Sequence, residues 1–351
     1  MHPTIASTAT ALPRNYYPQA VLIEAIRKHW GKRLERFEVL ERLHAATGVD
    51  GRYLALPLEQ YPFKTWGEAN NYWISAAVEL GEQAICRALQ RAGTATQDIG
   101  AFFFVSITGI SSPSIEAKLI NRMRLSPRMK RIPIFGLGCV AGAAGIARAA
   151  DYVKAFPRES ALLLSVELCS LTVQPDDLSV ANLISSGLFG DGAAAVILNG
   201  AEQDGPPGPQ VIATRSVFYP GTEDVMGWDI SEKGFRIVLS RDVPDVIVQN
   251  LGRDVDEFLD DHGLERPDIE SWVIHTGGPK VLQATEDALG LPRGELEVSW
   301  SCLRKTGNLS SASVLFVLEE VVQNRRPAAG TWGLLAAMGP GFCSELVLLK
   351  W

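Results

Sequence analysis

The order of strand-like and helix-like segments in this chain repeats, and that repeat constrains the fold more than any other feature. In the first half an apolar run, 101–109, is followed by a helix-like stretch opening at Gly138-Cys139, then by apolar runs at 161–168 and 190–198. In the second half the run 271–278 is followed by a stretch opening at Gly307-Asn308, then by runs at 331–339 and 342–349. Gly109 precedes Cys139 by 30 residues, and Gly277 precedes Asn308 by 31. Matching order at matching spacing implies an internal duplication. Alternating strands and helices imply an α/β layered fold. The turn-rich stretch Gln203–Gln210 separates the halves, giving units of 1–202 and 211–351.

A duplicated α/β unit sets its two small-residue helices side by side about a pseudo-two-fold axis. Gly142, Ala143 and Ala144 in one, and Ser310 to Ser313 in the other, permit close packing. On this reading Gly138-Cys139 and Gly307-Asn308 are equivalent positions, each at its own helix start. His275 falls at the C-terminal end of a buried strand, where open α/β sheets present functional groups. Three residues from three distant segments are therefore expected to converge.

Their chemistry is defined. A thiol at a helix N-terminus meets unpaired N–H groups and the positive end of the helix dipole, and both favour the thiolate. His275 beside Cys139 is expected to complete a thiolate–imidazolium pair, a nucleophile at neutral pH that needs no metal. His275 Nε2 and the Asn308 amide are donors for a developing oxyanion, each contributing about 3–4 kcal/mol of transition-state stabilisation. Taken singly, each residue has a plainer reading: a packing cysteine, a strand-end histidine, an N-cap asparagine. A papain-like protease uses the same three residue types, but there Asn orients His, and the duplicated sheet favours acyl transfer on thioesters.

Composition closes off other classes. The net charge of −7 and the lack of any Lys/Arg run argue against a nucleic-acid surface or an anionic-membrane footprint. No apolar run reaches the length of a membrane span, and the first residues show no signal-peptide pattern. Cys86, Cys139, Cys169, Cys302 and Cys343 are scattered, with no Cys-x-x-Cys pair. Neither a metal site nor a disulfide framework is expected, and a reducing cytoplasm is the expected location.

The segments Gly138-Cys139-Val140-Ala141-Gly142, His275-Thr276-Gly277-Gly278-Pro279 and Gly307-Asn308-Leu309-Ser310-Ser311-Ala312 resemble the three signatures of type III polyketide synthases, the chalcone-synthase-like branch of the thiolase fold. Leu188-Phe189-Gly190-Asp191-Gly192 and Met338-Gly339-Pro340-Gly341 are similar to two further family segments. The resemblance runs in register from about residue 100 to the C-terminus. It implies a layered αβαβα architecture and a homodimer. It implies acyl-CoA and malonyl-CoA as substrates, with no separate cofactor. Cys139 would take the starter acyl group, and His275 and Asn308 would assist decarboxylation of malonyl-CoA. The resulting enolate would attack the Cys139 thioester, adding two carbons per cycle before cyclisation.

By the same resemblance Phe189 is the gatekeeper between the CoA tunnel and the reaction cavity. Ile237 stands where a second gatekeeper phenylalanine is expected, with Phe235 two positions earlier. Gly339, Pro340 and Gly341 keep the family's Gly-Pro-Gly turn. Arg42 lies in the region that supplies cations for CoA phosphates. Thr108, Ser112, Cys169 and Thr172 take lining positions, where small side chains leave space for an acyl tail. Similar patterns occur in bacterial members that use medium or long fatty acyl-CoA starters and make alkylpyrones or alkylresorcinols, so that substrate class is the expectation. Two other functions remain: a ketoacyl-synthase-III-like enzyme that condenses once, and a catalytically silent thiolase-fold scaffold.

Overall fold

Runs rich in Val, Ile, Leu and Phe make the strands, as their β propensity and burial dictate. A computed structural model describes residues 2–34, 36–63 and 65–351. The strands are β1 (Thr4–Ala11), β2 (Asn15–Pro18), β3 (Gly51–Leu54), β4 (Ile99–Val105), β5 (Lys130–Ile134), β6 (Ser160–Leu168) and β7 (Asp191–Asn199). They continue with β8 (Gln210–Phe218), β9 (Met226–Ser231), β10 (Gly234–Leu239), β11 (Ile269–Ile274), β12 (Trp332–Gly339) and β13 (Cys343–Lys350). The helices are α1 (Gln19–Trp30), α2 (Phe37–Ala45), α3 (Trp66–Ala92), α4 (Ile115–Met123) and α5 (Ala141–Ala155). The second set is α6 (Val180–Leu188), α7 (Val243–Asp260), α8 (Pro279–Leu289), α9 (Glu297–Thr306) and α10 (Ser313–Asn324).

The sheet carries the duplication. Its order is β11-β12-β13-β8-β1-β7-β6-β4-β5. In one half β4 is parallel to β6, β6 antiparallel to β7, and β7 antiparallel to β1. In the other, β11 is parallel to β12, β12 antiparallel to β13, and β13 antiparallel to β8. The halves meet at one register pair between β1 and β8, Thr4↔Gln210.

Strand periodicity then distributes the side chains. Phe103, Val105 and Leu163 point into a central core with α5 and α10, while Phe102, Phe104 and Leu162 point to the opposite face against α3. In the second half Val273 and Leu335 share the central core, and Trp272, Ile274 and Leu334 face α7 and α8. Helices outside, two strand layers and a helical centre give the five layers expected.

The central helices touch backbone to backbone. A Cβ at Gly142 would stand 2.2 Å from the Ser311 carbonyl oxygen, so only glycine fits there. Each helix is led by a 3-10 turn, Gly138–Val140 before α5 and Ser310–Ala312 before α10. Aligning those turns pairs Cys139 with Ser311, not with Asn308, which lies three residues earlier. This corrects the equivalence expected from the sequence: spacing between Gly residues placed the register one turn too early. Gly138 and Ser310 both have left-handed backbones, φ 54° and 48°. For a non-glycine such as Ser310 that conformation is costly.

Candidate active site

Cys139 sits in the 3-10 turn at the head of α5, His275 follows the last residue of β11, and Asn308 precedes α10. All three line one cavity of about 590 Å³. Cys139 is 7% exposed, His275 5% and Asn308 2%, so reagents reach them only through that cavity.

The main chain fixes each group. His275 N–H donates to the Ala336 carbonyl at 3.0 Å, extending the β11–β12 ladder by one residue. Both ring nitrogens of His275 are buried without a protein partner, leaving them for a molecule in the cavity. Asn308 Oδ1 accepts from the Ser310 N–H at 2.8 Å and from Ser313 Oγ at 3.2 Å. Those two bonds set the amide orientation, so Nδ2 is the free face. It donates to the Gly277 carbonyl at 3.3 Å and keeps a second hydrogen.

The Gly339-Pro340-Gly341 turn supports the nucleophile from behind. A Cβ on Gly138 would stand 2.6 Å from Pro340 Cδ, and a Cβ on Gly339 would stand 2.6 Å from the Val140 nitrogen. Gly339 and Pro340 press on the Cys139 turn, Gly341 meets Phe218 instead, and none of the three lines the cavity.

Electrostatics depart from the sequence expectation. Burial pushes the Cys139 thiol up to about 12, outweighing the lowering by the Ser310 hydroxyl 3.6 Å away. Burial alone lowers His275 to about 4. Both groups are therefore neutral near pH 7 in the empty site, a thiol and a free imidazole base. Desolvation opposes the helix terminus and works against the resting ion pair expected from the sequence. A neutral imidazole is chemically able to accept a proton.

The other expected positions separate into groups. Phe189 lies between the main cavity and a side cavity of about 20 Å³ that Cys169, Thr172, Ile237 and Trp228 also line. Thr108 is buried but lines neither: its hydroxyl donates to Glu167 at 2.9 Å and accepts from the Leu168 N–H and Trp73 Nε1. Ser112 is exposed, away from both cavities, because the chain turns outward ahead of Pro113. Arg42 is exposed on α2 one turn before Ala46, which does line the main cavity, and Arg42 itself does not. The charged residues lining the main cavity, among the described residues, are Arg241 and Lys280, both exposed and cationic.

Sequence reasoning passed over several participants. Ser310, Glu167, Trp228, Arg241 and Lys280 were not singled out. Glu167 is fully buried, accepts from Ser311, Thr108 and Ser106 hydroxyls and the Ile107 N–H, and is raised by burial to about 7. The polar run Ser310, Ser311, Ser313 beside an apolar helix was the available signal, since buried hydroxyls need partners.

The chain matches the family described as chalcone and stilbene synthases, the N-terminal domain over residues 2–202 and the C-terminal domain over 210–351. It is 49% identical to a 1,3,6,8-tetrahydroxynaphthalene synthase of Streptomyces peucetius subsp. caesius, covering 99% of this chain and 93% of that protein. It is 38% identical to a putative chalcone synthase of Bacillus subtilis, over 99% of this chain and 98% of that one. Its structure is similar to the crystal structure of 1,3,6,8-tetrahydroxynaphthalene synthase from Streptomyces coelicolor A3(2), with TM-score 0.94, 32% identity and 99% coverage of both chains. On these grounds the chain belongs to the chalcone and stilbene synthase family: it is a type III polyketide synthase, an acyltransferase of the thiolase-type fold.

Proposed function

We propose that this enzyme condenses malonyl-CoA iteratively on Cys139 from a small starter, malonyl-CoA itself or another short acyl-CoA, and cyclises the chain to a polyhydroxylated aromatic product. The observation that carries the choice of starter is the shape of the space. The main cavity lies within the range that holds a drug-sized ligand, enough for the thioester arm. Beyond Phe189 the side cavity has room for about one water molecule. Trp228 helps fill it, backed by Phe235 at 5.9 Å and, behind that, Trp66 at 5.8 Å. A fatty tail gains nothing from such a closed end, which counts against the fatty starter and alkylpyrone or alkylresorcinol product expected from small lining residues. Sequence counting placed small side chains around Cys139 but left out the indole opposite them. Relatives point the same way: besides the synthases above, a phloroglucinol synthase of Pseudomonas fluorescens is 33% identical over 90% of both chains. Phloroglucinol and 1,3,6,8-tetrahydroxynaphthalene carry oxygens on alternate carbons and no alkyl chain.

The steps follow from the site. Cys139 Sγ attacks the starter carbonyl, its proton passes to His275, and the CoA thiol leaves with that proton. Malonyl-CoA then loses carbon dioxide, and the electrons of the broken C–C bond move to an enolate oxygen stabilised by His275 Nε2 and Asn308 Nδ2. The enolate carbon attacks the Cys139 thioester, forming the new C–C bond as the C–S bond to Cys139 breaks. The lengthened chain is then on CoA. The released Cys139 thiolate takes it back before the next cycle, expelling the CoA thiolate to be protonated by solvent. Arg241 and Lys280, exposed cations lining the cavity, would meet the CoA phosphates, the role expected of Arg42.

The experiment offers malonyl-CoA alone, then malonyl-CoA with acetyl, hexanoyl and lauroyl starters, and reads products by mass. An aromatic product from malonyl-CoA alone supports the proposal. A fatty starter preferred over malonyl would overturn the starter assignment. A single β-ketoacyl product requiring an acyl carrier protein would overturn the iterative reading.

A further inference from the structure

Arg52, on the short strand β3, is 4% exposed, and its buried Nε has no partner. Its Nη1 donates to the Phe189 carbonyl at 2.7 Å. The residues around Phe189 are clasped to the Asn308 segment: Asn308 N–H donates to the Leu188 carbonyl at 2.9 Å, and Gly190 N–H to the Asn308 carbonyl at 3.0 Å. The Arg52 stem lies beneath the same clasp, since a Cβ on Gly307 would stand 3.3 Å from Arg52 Cγ. Gly307 has φ 73° and no room for a side chain, its Cβ position being 2.5 Å from the Leu188 oxygen.

The charge is tied to the opposite wall. Burial lowers the Arg52 guanidinium to about 10, so it stays charged at neutral pH, and Asp191 is the largest influence favouring that charge. Asp191 is itself fully buried and accepts from the Ala55 N–H at 2.6 Å and the Ser170 N–H at 2.8 Å. Ala55 follows β3 in sequence, and Ser170 adjoins Cys169 of the side cavity. Burying a guanidinium for one carbonyl bond, with Nε unpaired, is an expensive way to gain stability. Stability alone does not explain the residue.

We propose that Arg52 is a positioning residue: by holding the Phe189 carbonyl against the Asn308 clasp it sets the aperture between the thioester cavity and the side cavity, and so how many condensations precede release. This rests on the condensing reaction proposed above, and the two fail separately. Wild-type enzyme giving no polyketide from malonyl-CoA would sink the reaction before any variant is made.

The test uses Arg52→Met, which keeps the stem and removes the donor, and Arg52→Lys, which keeps the charge beside Asp191. Each is measured for melting temperature, single-turnover acylation of Cys139, and product length by mass. For Arg52→Met the expectation is a folded protein of lower melting temperature, because Asp191 stays buried and loses the charge that faces it, with acylation within about threefold. The ratio of short to full-length products should rise about tenfold or more. Arg52→Lys should recover part of the wild-type ratio. Wild-type product lengths in folded Arg52→Met would overturn the proposal and leave Arg52 a structural residue. Should Arg52→Met fail to fold, Arg52→Lys decides alone by the same ratio.

Discussion

Two short turns face one another at the centre of the molecule, Gly138–Val140 leading α5 and Ser310–Ala312 leading α10. Each begins with a left-handed residue, but α5 that follows the first is rich in Ala and Gly, while α10 that follows the second is built of Val, Leu and Phe. Their chemistry differs. The first turn presents the Cys139 thiol to the cavity. The second places the equivalent side chain, Ser311, on the buried Glu167 carboxylate and gives Ser310 to the thiol. The difference arises in what precedes each turn. Asn308 lies ahead of the second one, fixed by the clasp to Phe189, and His275 comes from the neighbouring strand. In the mechanism we propose, one half supplies the nucleophile; the other supplies the donors that stabilise charge and the two cations at the mouth.

The largest effects should expose that division directly. Cys139→Ala should abolish acylation by labelled acyl-CoA, a loss on the order of 10⁴ or more, because among the described residues no other thiol lines the main cavity. Ser311→Ala, at the equivalent position, should leave acylation within about tenfold while lowering stability by about 1–3 kcal/mol, since Glu167 loses a buried donor. Mass spectrometry of the acyl-enzyme and thermal melts read both. Equal loss of acylation in the two variants would break the comparison.

Next in size is Asn308→Asp, which keeps the acceptor for the Ser310 N–H and removes the donor from the cavity. Decarboxylation of malonyl-CoA should slow by about 10²–10³ in kcat, the equivalent of about 2.7–4 kcal/mol. Acylation of Cys139 should fall far less. A uniform rise in KM with kcat unchanged would assign Asn308 to binding rather than to charge stabilisation.

How far this site was legible follows from what each residue depends on. Cys139, His275 and Asn308 could be placed because each stands at a glycine-marked end of a strongly periodic element, and such ends survive as sequence patterns. The register between the two central turns could not, because it depends on a 3-10 lead of three residues that no periodicity reports. Thr108 and Ser112 followed the strand correctly, yet whether a side chain meets the cavity is settled by Glu167 drawing Thr108 inward and by the turn at Pro113 carrying Ser112 outward. Trp228 lies on a two-stranded ribbon apart from the main sheet. Its approach to Cys169 depends on packing across far-separated segments.

The protonation state separates the two halves further, with a smaller effect. With Cys139 raised to about 12 and His275 lowered to about 4, neither titrates between pH 6 and 9. A raised thiol pKa means that the thiolate fraction grows throughout that window. Alkylation of Cys139 by iodoacetamide in substrate-free enzyme should therefore climb about tenfold per pH unit without a plateau. A resting thiolate–imidazolium pair would instead react at a constant rate above about pH 6, and that profile would show that His275 already holds the thiol proton in the empty site.

The smallest effect belongs to the mouth. Arg241 precedes the start of α7 and Lys280 lies in the first turn of α8, so both cations come from the half that supplies the donors. Both are exposed, where attraction to a phosphate is weakened by water and salt. The double variant Arg241→Glu, Lys280→Glu should raise KM for malonyl-CoA by about three- to tenfold at low salt, with kcat unchanged. The difference should shrink at high ionic strength. A malonyl thioester of N-acetylcysteamine, which lacks the phosphates, should be turned over equally by both enzymes. If that truncated substrate suffers as much as malonyl-CoA, the two cations act on the shape of the cavity rather than on charge. The second half would then contribute donors alone, and Arg42 on α2 would be the remaining cation to test at the mouth.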